Sequence, residues 1–497
     1  MIRTHRLSLR LLAGLSAATL ALAGTAEARD TVTQGLVLDR VTVVDVRTGK
    51  LTHNRAIVIA NGRIVRIVAA GSIAATGAGQ RVDGHGAFVV PGFNDMHAHN
   101  LNAASPQTSL PLMLASGITG FRQMAPVMPG FPTDAAGKPV LPADSPALLS
   151  LPGALLVGPA FANPAAAKAE VDRQKAQGID FIKVVDLPQA AFLAAVDQAK
   201  ADGLPISGHL NLAVDPRDAI GHGMDSIEHM GPGISLLLSC STDEVPIRTM
   251  IRAIPPGAAT VDFSLPPEKI QRLLANPLML TPPPGFLVMR RVIATYSEDK
   301  CRKLASDIAA SKTWVVPTFT RIEAMNLGNA PALRGNPDLR LVPVSSRTLW
   351  LSVGDDFDAK LSAEQRKTLA DLFTLQLKLA KLFDNAGVKM MAGTDFGGQW
   401  IVPGRSLHRE FDLLVGTGIT PLRILQMTTI DAATYLHREA DMGSVAPGKL
   451  ADLVLLDADP AKRVANLHGI AGVVRAGRFL SRQDLAAMTD RQAAALK

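Results

Sequence analysis

Apolar and polar positions fall into two kinds of pattern along the chain. Between residues 35 and 90, short β-branched runs (Val41-Thr42-Val43-Val44, Ile57-Val58-Ile59, Ile64-Val65) alternate with turn signals, of which Asn61-Gly62 is a strong hairpin cue. The far end reads the same way. Leu453-Val454-Leu455-Leu456 and Val473-Val474 are short apolar runs beside the turn pairs Pro447-Gly448 and Ala476-Gly477. The expectation is one small β domain assembled from both ends, residues 29–90 and 441–485, with a tail over 486–497.

The centre, 91–440, alternates apolar runs with helical stretches, the signature of βα units and a parallel sheet. Eight runs qualify as strands: Phe93–Met96, Ile118–Gln123, Ala154–Gly158, Phe181–Val185, Pro205–Gly208, Ser226–Ile227, Val315–Thr318 and Lys389–Ala392. Eight is the number a closed barrel needs. The clearest helix starts at Ser362, which forms a capping box with Gln365. Its apolar stripe runs through Leu369, Leu372, Phe373, Leu379, Leu382 and Phe383, and Gly387 closes it. Between the sixth and seventh strands the spacing widens, and Pro255-Pro256 and Pro282-Pro283-Pro284 argue against regular structure. Residues 232–300 therefore read as an insert, a loop or subdomain over one barrel mouth.

Composition narrows the classes. Of 497 residues, 47% are hydrophobic and 19% charged, which is globular. Only 4% are aromatic, and the net charge of +7 is dispersed without a basic run, so nucleic acid is not an expected partner. Arg3, Arg6 and Arg10 precede an apolar stretch from Leu11 to Gly24 and the small-x-small site Ala26-Glu27-Ala28. Residues 1–28 read as a secretory signal peptide, too short in its apolar part for a stable membrane anchor. The expected location is periplasmic or secreted. In an oxidising compartment Cys240 and Cys301 can pair as a disulfide, the alternative being two buried thiols.

The candidate chemistry lies at strand ends. His97 and His99 close the first barrel strand, and residues i and i+2 face one side. His209, His229 and Asp395 follow the fifth, sixth and eighth strands, at the C-terminal rim where barrel active sites sit. Four imidazoles and a carboxylate suit zinc. Lys183 lies inside the apolar run Phe181-Ile182-Lys183-Val184-Val185. Either it reaches the strand end or pairs with Asp186, or burial keeps its amine neutral and open to carbon dioxide, giving a carbamate able to bridge two metals.

These motifs resemble the amidohydrolase superfamily, in the branch holding imidazolonepropionase-like proteins and Xaa-Pro dipeptidases (prolidases). The matching stretches include Pro91 to His99, Asp180 to Val184, Gly208-His209, Asp225 to His229, Ala392 to Asp395, Ser406 to Glu410 and Gly443 to Leu453. The resemblance implies an α/β fold, a (β/α)8 barrel with a small β-sandwich domain. It also implies a binuclear centre, most naturally of Zn2+. His97, His99 and Asp395 would hold the buried ion and His209 and His229 the second, with N-carboxylated Lys183 as bridge. A hydroxide between the metals would attack, and Asp395 would carry the proton to the leaving amine. The implied activity is hydrolysis of an amide bond in a small molecule, a dipeptide or N-acyl amino acid. A cyclic amide, ester or xenobiotic amide is the alternative, and a non-catalytic metal-binding protein the third. Arg122 and His408 are weighed as substrate-binding residues against structural roles. A homo-oligomer is compatible with the chain. The loops depart from the family pattern at Asp186-Leu187-Pro188-Gln189 and at Arg122-Gln123, so the substrate does not transfer with the metal chemistry.

Overall fold

The computed structural model describes residues 30–32, 34–75, 79–102, 105–231, 233–254 and 266–496. The expected signal peptide lies outside the described residues, as does Pro255-Pro256.

Both ends of the chain meet in one sheet. Its strands run in the order Arg478–Ser481, Ile470–Arg475, Leu453–Leu456, Phe88–Pro91, Leu36–Val44, Leu51–Ala60, Arg63–Ala69, with Gln80–Asp83 also paired to Leu36–Val44. Two tight turns set the hairpin registers. Asn61 and Gly62 both take left-handed backbone (φ 50° and 72°), and so do Ala476 and Gly477 at the other end (51° and 82°). Alternation then sorts the side chains. Leu36, Leu38, Ile57, Ile59, Leu453 and Leu455 share one core, while Val37, Ala56 and Val58 pack on the other face.

The centre has a TIM-barrel-like α/β fold. Phe93–Ala98, Ile118–Gln123 and Ala147–Ser150 form one parallel set; Leu156–Val157, Ile182–Asp186, Ile206–Gly208, Ser226–Glu228 and Trp314–Val316 form another. The expected third strand over 154–158 is the short Leu156–Val157, and a further strand, Ala147–Ser150, precedes it. Pro152, which has no N–H to donate, lies between them, yet it keeps a parallel bridge to Phe181. The expected eighth strand, Lys389–Ala392, is not a regular strand. Single bridges Val315↔Met390 and Ala98↔Phe396 carry that segment between the two sets, helped by Met96 N to Ala392 O (2.9 Å) and Asp395 N to His97 O (2.7 Å).

The long helix is Ala363–Ala386, with both halves of the Ser362–Gln365 capping box and left-handed Gly387 at its end. The insert departs from expectation, because it is helical: Ser235–Leu238, Glu244–Arg252, Pro267–Ala275 and Pro283–Ala294. Pro282-Pro283-Pro284 starts the last of these. Proline is tolerated in a helix's first turn, where the missing N–H has no intrahelical acceptor anyway. The supposed tail belongs to another helix, Arg482–Ala495, capped by Ser481 and packed through Leu485 and Met488 against Leu114 and Ala115. Among the described residues no helix is long and apolar enough to cross a membrane.

A Cys240–Cys301 disulfide closes the base of the insert, beside backbone bonds from Thr242 N to Thr295 O and Ser297 N to Cys240 O. Its sequence separation of 61 residues corresponds to about 4 kcal/mol in the chain-entropy picture. The Cys240→Ser/Cys301→Ser protein should melt several degrees below the oxidised wild type in a thermal scan. Equal melting temperatures would mean that the crosslink adds nothing.

Candidate metal centre

Strand geometry delivers five side chains to one place. His97 is fully buried on Phe93–Ala98, and His99 follows the strand on the same side. His97, His99 and Asp395 offer ligand atoms that all lie within 4.8 Å of one another. Asp395 Oδ1 is 3.0 Å from His99 Nε2 and 3.3 Å from His97 Nε2. His229 sits with its ring 4.4 Å from that of His97, and His209 with its ring 4.8 Å from that of His229.

The backbone is unusual where these groups emerge. His229, Thr318 and Asp395 all have positive φ (59°, 51° and 55°), rare for residues with a side chain. Two glycines make room. At Gly208 (φ 146°) a Cβ would collide with the Val184 carbonyl. At Gly393 it would stand 2.8 Å from His97 N.

One carboxylate fixes the chemistry of His97. Glu228 Oε2 lies 2.6 Å from His97 Nδ1, while Oε1 accepts from Arg122 Nη2 (2.7 Å) and Ser226 Oγ (2.6 Å). Burial would raise the Glu228 pKa, but the Arg122 charge and the hydrogen bond with His97 outweigh it and hold the group well below the usual range. An ionised carboxylate only accepts. His97 Nδ1 therefore carries a proton, and in that tautomer Nε2, which faces Asp395 and His99, is the nitrogen left to bind a metal. Nε2 makes no hydrogen bond among the described residues.

The neighbouring groups are equally prepared to act as ligands. Burial keeps His209 and His229 well below the ordinary imidazole value and lowers His99, so all three are neutral near pH 7. His229 Nδ1 meets Thr318 Oγ1 at 2.7 Å, and its Nε2 is 3.1 Å from His209 Nε2. Two ring nitrogens that close suit a shared cation. Burial would raise Asp395, but its polar contacts, with His99 Nε2 at 3.0 Å, keep it well below its usual value.

Lys183 Nζ is buried and has no hydrogen-bond partner among the described residues. Asp186, weighed as its partner, instead accepts from Asn211 Nδ2. Burial pushes the lysine down to about 8, against the pull of Glu228 and Asp395. At pH 7 roughly a tenth of it would be neutral amine. These orphaned nitrogens, His97 Nε2 and Lys183 Nζ, beside a carboxylate and three neutral imidazoles, fit a divalent metal group.

Two expectations need correction. Arg122 does not hold a substrate carboxylate. It is fully buried, and its nitrogens are committed to Glu228, Tyr435 Oη (2.9 Å), Ser226 and Met96 O (2.7 Å). His408 does not line the site. Its Nε2 meets Ser116 O at 2.9 Å, and its ring packs on Phe93, at the opposite end of the strand that presents His97. Burial takes it down to about 4, leaving a neutral packing residue.

Three contributors were not singled out from the sequence: Glu228, Thr318 and Arg321. Glu228 could have been found, since a carboxylate inside the apolar run before His229 demands a partner. Arg321 lies in helix Phe319–Leu327 with its Nε 3.2 Å from Asp395 Oδ2, and no motif marks it.

A model of the amidohydrolase family matches residues 360–480, a stretch that contains Asp395. No curated protein matches the chain. Among solved structures, the bottromycin amidohydrolase superposes with a TM-score of 0.66 at 22% identity, covering 93% of this chain and 90% of that one. A putative prolidase from Bifidobacterium longum gives 0.57 at 20%, covering 93% and 99%. The A. niger ochratoxinase gives 0.54 at 15%, covering 90% and 96%. At these identities the likeness is one of fold.

Replacing Glu228 by Ala should cost about 3–5 kcal/mol, because it leaves the Arg122 guanidinium buried without a counter-charge. The check is the denaturation midpoint of the metal-free protein. A loss under about 1 kcal/mol would mean that Arg122 finds water or another partner.

Proposed function

We propose that this chain, a member of the amidohydrolase superfamily, is an exported metal-dependent hydrolase of a small amide. The observation that carries the reading is the convergence of His97, His99 and Asp395 beside the unpartnered, buried Nζ of Lys183. His97, His99 and Asp395 would hold one divalent ion, His209 and His229 a second, and Lys183, as its carbamate, would lie between them. The carbamate forms when the neutral amine adds carbon dioxide and gives up a proton. Zinc suits this nitrogen-rich set; two such ions would polarise a carbonyl and lower the pKa of water toward neutrality. Asp395 would then take a proton from the attacking water and deliver it to the leaving nitrogen. Glu228 keeps His97 in the tautomer that this arrangement requires. The bridges at Met390 and Phe396 support a ring of eight strands, and the shared terminal sheet supports the accompanying β-sandwich domain.

Dipeptides and N-acyl amino acids are the first substrates to consider. The commitment of Arg122 to Glu228 favours a second reading, an amide without a free carboxylate, such as a cyclic or xenobiotic amide, or an ester. The disulfide and the leader-like residues 1–28 support a periplasmic or secreted location.

The test is mass-spectrometric detection of products. Zinc-loaded protein would meet a panel of Xaa-Pro and other dipeptides, N-acyl amino acids, lactams and esters. Asp395→Asn should lower turnover by about 10²–10⁴-fold, with metal content measured on the same sample. Unchanged turnover in that variant would remove Asp395 as proton carrier. Silence of the wild type across the panel, with metal bound, would remove the dipeptidase reading.

A further inference from the structure

One side chain, Arg321, lies between the helix Pro267–Ala275 of the insert and Asp395. Helix Pro267–Ala275 ends with its last carbonyls directed at Arg321. Arg321 Nη2 donates to Leu274 O (2.6 Å) and Nη1 to Ala275 O (2.7 Å), while Nε faces Asp395 Oδ2 at 3.2 Å. The planar guanidinium thus spans two backbone acceptors of the insert and one carboxylate oxygen of the site. Neighbouring contacts fasten the same helix end: Gln399 N donates to Ala275 O (3.1 Å) and Asn276 Nδ2 to Met325 O (3.0 Å). Arg321 is only 6% exposed, so little of it is left for a ligand. A Cβ on Gly398 would collide with the guanidinium, and the Gly398 backbone lies outside the positive-φ region. Space for Arg321, and not backbone conformation, is what a side chain at 398 would disturb.

We infer that Arg321 is a positioning residue that fixes the Asp395 carboxylate and makes its orientation depend on the docking of the Pro267–Ala275 helix through Leu274 O and Ala275 O. The inference rests on the proposed amide hydrolysis for its kinetic consequence but not for its structural one. With Oδ2 held from the insert side, Oδ1 stays toward His97 and His99. When the end of the Pro267–Ala275 helix lifts, Arg321 loses two of its three acceptors and the carboxylate its anchor. A substrate that presses on the insert would therefore act on Asp395 without touching it.

Arg321→Ala, Arg321→Lys and Gly398→Ala test this on the full-length, oxidised protein. Kinetics, metal content and hydrogen exchange of residues 268–276 in the metal-free form are read together. The expected result for Arg321→Ala and Gly398→Ala is a 10–100-fold fall in kcat, KM within threefold, wild-type metal content, and exchange over 268–276 at least tenfold faster. Arg321→Lys should recover no more than part of kcat, since an ammonium cannot span the three acceptors. Gly398→Ala retains the arginine and answers the question should Arg321→Ala fold poorly. Exchange at the wild-type rate in Gly398→Ala, kcat within threefold of wild type, or loss of metal in step with kcat would each overturn the inference. If the wild type hydrolyses no amide, the functional reading falls, and the exchange rates alone decide whether Arg321 holds the insert.

Discussion

A buried guanidinium and a buried imidazole share the two oxygens of Glu228, and much of the centre is arranged around that sharing. Neither cation nor anion could be left alone there, since an isolated charge in the interior costs several kcal/mol. Arg122 spreads over the rings of Phe181 and Tyr435, at 5.6 and 4.9 Å, and ties Met96 O, Ser226 and Tyr435 to the same carboxylate. The first, second and sixth strands are thereby held in register at their interior. The product is a histidine with one tautomer and one direction for its lone pair. Metal sites need that kind of fixed ligand, and in this candidate site a carboxylate on another strand would supply it.

The same economy of partners explains Lys183. Glu228 is committed to Arg122, Ser226 and His97, and Asp186 is taken by Asn211. The buried Lys183 Nζ is left within the electrostatic reach of Glu228 and Asp395, with no hydrogen bond among the described residues. Such a group either repays its burial through a ligand or is a liability to the fold.

Much of this was legible from residue types and spacing. The turns at Asn61-Gly62 and Ala476-Gly477, the capped helix at Ser362 and most of the barrel strands followed from local chemistry, and local chemistry is what a sequence displays. The five ligand-type residues were legible because strand ends are. The role of Arg122 stays open in the sequence because its partner, Glu228, is far away in the chain, and a cation looks free until the fold shows what neutralises it. His408 stays open for a related reason, since a helix-start histidine does not reveal which end of the fold its helix flanks. The insert was read as irregular because prolines were weighed as breakers, while Pro283 stands where a helix begins. Arg321 was invisible, because its meaning comes from two backbone carbonyls of a distant helix.

The sheet that joins the two ends also sets an order of events. Phe88–Pro91 pairs on one side with Leu36–Val44, which precedes it, and on the other with Leu453–Leu456, which is made only after every barrel strand. Until then the growing chain carries an unpaired apolar strand edge, the kind of surface that recruits neighbouring chains. The last-made segment is thus a closing strip. A chain that stops short of residue 453 leaves that edge open for good, so the stretch from Leu453 onward decides whether the sheet is covered.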